Sequence, residues 1–369
     1  MIEVTRATLV LAVLLVACGG TAGSTDGPGG SGGQGGSGGS RAAAPPLPWP
    51  VTEFPSLPDV MNDVPEARTQ LGRLLFFDPL LSVDRETACA TCHLPQWGMG
   101  DALPRSVGHG AGLVSGPDRI GPNTVRRNAL SLYNVAFRSP LLWDGRAATL
   151  EEQALIPLMT EDEMNRDPGE IAIEIGRIPE YADLFADAFP EDPTVTVENL
   201  ASALAAYQRT FISKNSGYDA YVDGDAGGLN EDATEGMFRF AEMGCHDCHT
   251  PPLFGSNTFA NRGLGETEGV VDRGLEEISG QSGDRGKFRT PSLRNVNATQ
   301  PYFHDGSVLA LSDAVRHEIE QSSLPFTEED VRLITAFVGS ALRDERNQAA
   351  FPAEVPSGLP LPIDPFGAR

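Results

Sequence analysis

Three stretches of the chain place apolar residues at helical spacing, and no stretch alternates apolar and polar residues over a useful strand length. Residues 66–75 form the first, with Leu71, Leu74 and Leu75 recurring and Pro65 at the start; Asp78-Pro79 is expected to end it. Leu200, Ala203, Leu204, Tyr207 and Phe211 mark a longer amphipathic helix. Thr327-Glu328-Glu329-Asp330 reads as a capping box opening a third helix, with Val331, Ile334, Phe337 and Val338 inward. Gly217 to Gly228 is rich in Gly and Asp, which puts a hinge near residues 212–230. The fold class is mainly α, with long loops.

The leading part reads differently. Residues 7–17 are an apolar run too short to span a membrane. They end in Leu15-Val16-Ala17-Cys18, which looks like a lipobox, where a signal peptide is cut before a cysteine that then carries lipid. Residues 19–40 are mostly Gly, Ser and Thr and bury too little apolar surface to fold. Pro45 to Pro58 is expected to be extended and to lie on the first domain. The organisation is then a lipoprotein signal peptide (1–18) with Cys18 lipidated, and a tether (19–58). Two domains follow (59–211 and 212–342), with a tail (343–369) expected to pack back on the first.

Composition narrows the partners. Of 369 residues, 51 are acidic and 27 basic, a formal charge of −24, so nucleic acid is excluded while a basic redox protein would be steered in. The cysteines carry more. Four of the five lie in Cys89-Ala90-Thr91-Cys92-His93 and Cys245-His246-Asp247-Cys248-His249. Cys-x-x-Cys-His is the attachment sequence of a c-type haem: the thiols bond the porphyrin and the His ligates iron. One copy could be a zinc knuckle or a redox motif; two copies in one chain point to two covalent haems, with His93 and His249 as iron ligands. Covalent haem attachment occurs outside the cytoplasmic membrane, so the chain is expected to be exported to the periplasm, membrane-bound only through its lipid.

Further motifs carry a resemblance. They are Leu71-Gly72-Arg73-Leu74-Leu75-Phe76-Phe77-Asp78-Pro79, Trp143-Asp144-Gly145-Arg146, Thr290-Pro291-Ser292-Leu293-Arg294-Asn295-Val296 and Pro301-Tyr302-Phe303-His304-Asp305-Gly306. In this order the chain resembles the bacterial di-haem cytochrome c peroxidases and MauG, from about residue 68 to 342. The resemblance implies two cytochrome c-like domains with their haems close to the domain interface. It implies roles for single residues too: His109 as a removable distal ligand of the haem on His93, Gln153 and Glu163 as the polar pair of the peroxide pocket, and Trp143 between the haems. Asn128, Thr299 and Pro301 match a calcium site. A homodimer is also implied.

One position departs from the family. The peroxidases usually place a Met fourteen residues after the His of Phe303-His304, as sixth ligand of the second haem; here it is Glu318, preceded by His317. Thioether ligation raises a haem's potential, so either replacement lowers it. The leading expectation is reduction of hydrogen peroxide to water at the haem on His93, fed through the haem on His249 by a cytochrome c or cupredoxin. The alternatives are a MauG-like oxidase modifying a partner protein, and a non-catalytic di-haem electron carrier.

Overall fold

Helices dominate the chain because its apolar residues recur at helical spacing and its breakers cluster between them. The computed structural model describes residues 45–57, 64–267, 270–344 and 350–363. The signal peptide, Cys18 and the Gly/Ser part of the tether lie outside these residues.

In the first half, α1 (Glu66–Phe77) follows Pro65, which occupies the N-cap position, and ends at the extended Asp78. The single turn α2 (Cys89–Cys92), α3 (Leu150–Met159), α4 (Pro168–Ile175), α5 (Pro179–Ala188) and α6 (Val197–Gln208) complete it. α1 crosses α6 so closely that a Cβ on Gly72 would lie 1.9 Å from the Ala203 carbonyl oxygen. Glycine is therefore required there. The apolar faces of α1, α5 and α6 bury Leu71, Leu75, Tyr181, Phe185 and Leu204 in one core.

The second half repeats this construction. After the short α7 (Gly217–Val222) come α8 (Glu231–Glu242), the single turn α9 (Cys245–Cys248), α10 (Glu276–Ser279), α11 (Leu311–Gln321) and α12 (Glu328–Ala336). α8 meets α12 at Gly236, where a Cβ would lie 2.0 Å from the Leu333 oxygen. Thr327 and Asp330 cap α12 reciprocally, and Val331, Ile334, Phe337 and Val338 are buried. Among the described residues four strands of two or three residues occur: β1 (Phe259–Asn261) pairs with β4 (Lys287–Arg289), and β2 (Glu266–Thr267) with β3 (Val270–Val271), all antiparallel.

The halves share a turn structure at a constant offset of 161 residues. Asn134 and Asn295 are both left-handed, Pro140 and Pro301 both follow cis peptide bonds, Leu142 and Phe303 both have φ 68°, and Gly145 and Gly306 both have positive φ. α3 and α11 start five residues after those glycines. The two turns meet reciprocally: Asn128 N–H donates to the His304 carbonyl at 2.8 Å, and Arg289 N–H to the Trp143 carbonyl at 2.8 Å. Between the halves, Ser213 exchanges two hydrogen bonds with the Asn134 amide (2.9 and 3.0 Å) and accepts a third from Asn295 (2.9 Å).

The Pro-rich segment departs from expectation. Rather than lying on the first domain, it sends Trp49 into the core of the second half, among Tyr218, Phe240, Phe254 and Phe337. An indole gains more by burial in that aromatic cluster than on a polar surface; Phe54 meets the first half at Phe137. At the other end, Val355 is buried in the first core and Ser357 Oγ donates to Asp78 at 2.8 Å. Among the described residues no helix is long and apolar enough to cross a membrane.

Candidate functional site

α2 and α9 carry the two Cys-x-x-Cys-His motifs, each as one helical turn with the His just beyond it. His93 Nδ1 lies 2.7 Å from the Met99 carbonyl oxygen, and His249 Nδ1 lies 3.2 Å from that of Phe254. A carbonyl only accepts, so each Nδ1 holds the proton and each Nε2 is left with its lone pair for a metal. The four motif cysteines form no disulfide. Burial pushes the Cys89 and Cys245 thiols up to about 12. These donors fit covalent haem attachment and axial ligation.

The first cavity, about 40 Å³, is lined by Cys89, Cys92, His93, Gln153, Glu163 and Gln208 among others. α3 positions Gln153, and its N-cap Thr149 accepts from Glu152 N–H at 3.1 Å. Glu163 follows on a tight turn, its N–H on the Thr160 carbonyl at 3.0 Å. Burial raises the Glu163 carboxyl to about 7, with Arg146 opposing. Gln153 is 9% exposed, and its Oε1 has no partner. The sequence thus brings Gln153 and Glu163 together beside His93. Gln208, 5% exposed with its Oε1 also unpartnered, was missed; its only signal was a polar residue at the end of an apolar helical face.

His109 does not line that cavity. Its imidazole Nε2 faces the Glu161 carbonyl at 3.1 Å, Asn123 Nδ2 lies 3.0 Å from the same ring nitrogen, and the His109 backbone N–H donates to the Glu163 carbonyl at 2.8 Å. The fully buried Arg119 holds the flanking loop through the carbonyls of Val107, Gly108, Gly112 and Val114 at 2.6–2.8 Å.

The second cavity, about 310 Å³, is lined by Cys245, Cys248, His249, Trp143 and Glu318 together with many apolar residues. Of the two candidates for its further ligand, Glu318 faces the cavity, with one carboxylate oxygen 3.0 Å from Arg262 Nε. Burial raises the Glu318 carboxyl, with Arg262 and His317 opposing. His317 instead donates Nε2–H to the Arg262 carbonyl at 2.8 Å. His304, buried and stacked on Phe288 at 3.5 Å between centroids, keeps its Nε2 unpartnered.

A third cavity, about 80 Å³, lies where the two turns meet and is lined by Asn128, Trp143, Thr299 and Pro301. Trp143 also walls the second cavity, with its indole N–H on the Asn128 carbonyl at 2.9 Å and its ring 6.2 Å from that of His304. The expected calcium residues therefore converge. Asn128 Nδ2 donates to the Leu103 carbonyl at 2.8 Å. No group of three or more His, Cys, Asp or Glu suited to a metal occurs among the described residues.

Comparison with known proteins agrees with this geometry. A family model described as di-haem cytochrome c peroxidase matches residues 66–227. The chain is 35% identical to cytochrome c551 peroxidase of Pseudomonas aeruginosa over 302 residues, 80% of this chain and 83% of that protein. It is 34% identical to the methylamine utilization protein MauG of Methylorubrum extorquens over 260 residues, 70% of each. Among solved structures, a MauG-like protein associated with microbial copper homeostasis superposes with a TM-score of 0.69 at 29% identity, covering 82% of this chain and 96% of that one. The diheme peroxidase BthA of Burkholderia thailandensis gives 0.64 at 25% identity, covering 82% and 91%.

Proposed function

Because the chain belongs to the di-haem cytochrome c peroxidase family, we propose that this peroxidase reduces hydrogen peroxide to water in the cavity of His93. A haem held by Cys245, Cys248 and His249 would receive the electrons from a small periplasmic cytochrome c or cupredoxin. The observation that carries this reading is Glu163, a carboxyl raised to about 7 in the same cavity as Gln153, Cys89, Cys92 and His93. The two haems are held covalently by Cys89 and Cys92 and by Cys245 and Cys248.

Cys89, Cys92 and His93 would hold the haem, whose iron would supply the electrons for O–O cleavage. Glu163 accepts the proton of the near oxygen and returns it to the leaving oxygen, so that peroxide, two electrons and two protons give two waters. Gln153 orients the peroxide through its amide. His109, held on Glu161 and Asn123, leaves the cavity free in this conformation. Trp143, beside the second cavity, couples the two centres. Glu318, which lines the cavity of His249, would be the side chain available to the second haem, and Cys18 would carry the lipid that tethers the exported chain. The test is steady-state peroxide turnover of the di-haem protein with reduced cytochrome c and with a reduced cupredoxin. Absence of turnover with every such donor contradicts the proposal.

One observation favours a second reading. Glu318 stands where the peroxidases place Met, and the chain is 34% identical to MauG over 70% of its length. On that reading the oxidising equivalents pass to a residue of a partner protein. A mass increase on a co-expressed partner after peroxide treatment, without consumption of reduced cytochrome, selects it.

A further inference from the structure

Arg138 and Arg289 bring two positive charges into the interior without an acid to meet them. They are 9% and 6% exposed, and neither forms an ion pair among the described residues. The other interior arginines are accounted for. Arg127 meets Asp144 and Asp272, Arg294 meets Asp219, and Arg119 is saturated by oxygens of its own loop and of Thr87. Arg138 Nη2 donates to the Ser256 and Thr290 carbonyls at 2.6 Å, but its Nε has no partner. Arg289 Nε donates to the Leu142 carbonyl at 3.1 Å. Burial lowers Arg138 to about 10; burial and then repulsion from Arg138 lower Arg289 to about 9. Carbonyl dipoles alone are poor compensation for two neighbouring buried cations.

Their location says which anion fits. Both line the third cavity, and Arg289 also lines the second, which shares Trp143, Pro291, Tyr302 and Phe303 with it. The third cavity has no carboxylate in its wall, and the single one in the second, Glu318, is paired with Arg262. A porphyrin is an apolar plate with two carboxylates on one edge. The apolar second cavity suits the plate, and the adjoining arginines suit the carboxylates.

We propose that Arg138 and Arg289 form a clamp for the two carboxylates of the haem attached at Cys245 and Cys248. Guanidinium forks match carboxylate geometry, and the pairing neutralises all four charges. The clamp also bears on the calcium site. Asn128, Thr299 and Pro301 share their cavity with both arginines, so a divalent cation is repelled there until the haem carboxylates are in place.

The inference rests on the reading that a haem is attached at Cys245 and Cys248, and the test separates the two. Arg138→Gln and Arg289→Gln are made in the di-haem protein; haem content and the midpoint potential of each haem are measured. Positive charge beside the carboxylates favours the reduced haem, so its loss lowers the potential. The midpoint of the haem on His249 is expected to fall by about 59 mV or more, a tenfold change for one electron. The haem on His93 stays put. Unmoved potentials in both variants, or equal shifts at both haems, overturn the clamp. A wild-type protein carrying one haem overturns the premise instead. Should the Gln proteins not accumulate, Arg138→Lys and Arg289→Lys decide. A point charge cannot replace the fork, so a smaller fall confined to the haem on His249 supports the clamp, and no fall overturns it.

Discussion

The two cavities are built on one plan and furnished differently. Each has a Cys-x-x-Cys-His turn, a His whose Nδ1 is held by a carbonyl, a helix crossing at a glycine, and a cis-Pro turn ending in Asp-Gly. At the shared offset of 161, Gln153 corresponds to Ala314, Pro157 to Glu318, and Trp143 to His304. The first cavity thus has Gln153 and Pro157 where the second has Ala314 and Glu318, whose carboxylate is paired to Arg262, and the first also holds Glu163. The second is also far larger, about 310 against 40 Å³. What separates the centres is a few substitutions on a common frame. On the proposed function, peroxide chemistry belongs where Glu163 lies, and electron entry where it does not.

Five substitutions probe this comparison. Glu163→Gln should cost most, lowering kcat/KM for peroxide by about 10²–10⁴ through loss of the proton carrier. Steady-state assays check this, and the potentials of both haems should be unchanged. Next come the crossings. A Cβ at Gly72 or Gly236 runs into a backbone carbonyl, so Gly72→Val and Gly236→Val should each destabilise by about 3 kcal/mol or more, read by chemical unfolding. Equal losses would show that the frames are equivalent. Glu318→Met should raise the midpoint of the haem on His249 by about 100 mV, because thioether ligation favours the reduced iron. An unchanged potential would mean that Glu318 is not a ligand. His109→Ala should do least. With the imidazole outside the cavity, turnover should stay within about twofold, the 0.5 kcal/mol expected of a side chain away from the packed site.

Sequence reading was strongest where one residue's chemistry decides the matter. The haem motifs, the α1, α6 and α12 periodicities, and the Thr327–Asp330 cap are local signals, and each element formed within a few residues of expectation. The shared turn was overlooked because its identity rests on backbone geometry. Asn in the left-handed region, a cis-Pro and Asp-Gly recur, while the side chains between them differ. Arg138, Arg289 and Gln208 were illegible for another reason: an arginine or glutamine is ordinarily exposed, and only tertiary packing buries these. Trp49 failed for a related cause, since a Pro-rich context signals extension but not which core an indole will find.

The account rests on Glu163 as the base in the cavity of His93, and its pH dependence is the most direct test. A carboxyl raised to about 7 is mostly protonated at pH 6 and mostly ionised at pH 8. Only the ionised form accepts a proton, so kcat/KM for peroxide should rise with pH through about 7 in the wild-type protein. In Glu163→Gln that rise should vanish along with most of the rate. A Glu163→Gln protein that keeps both the rate and the rise would contradict the account.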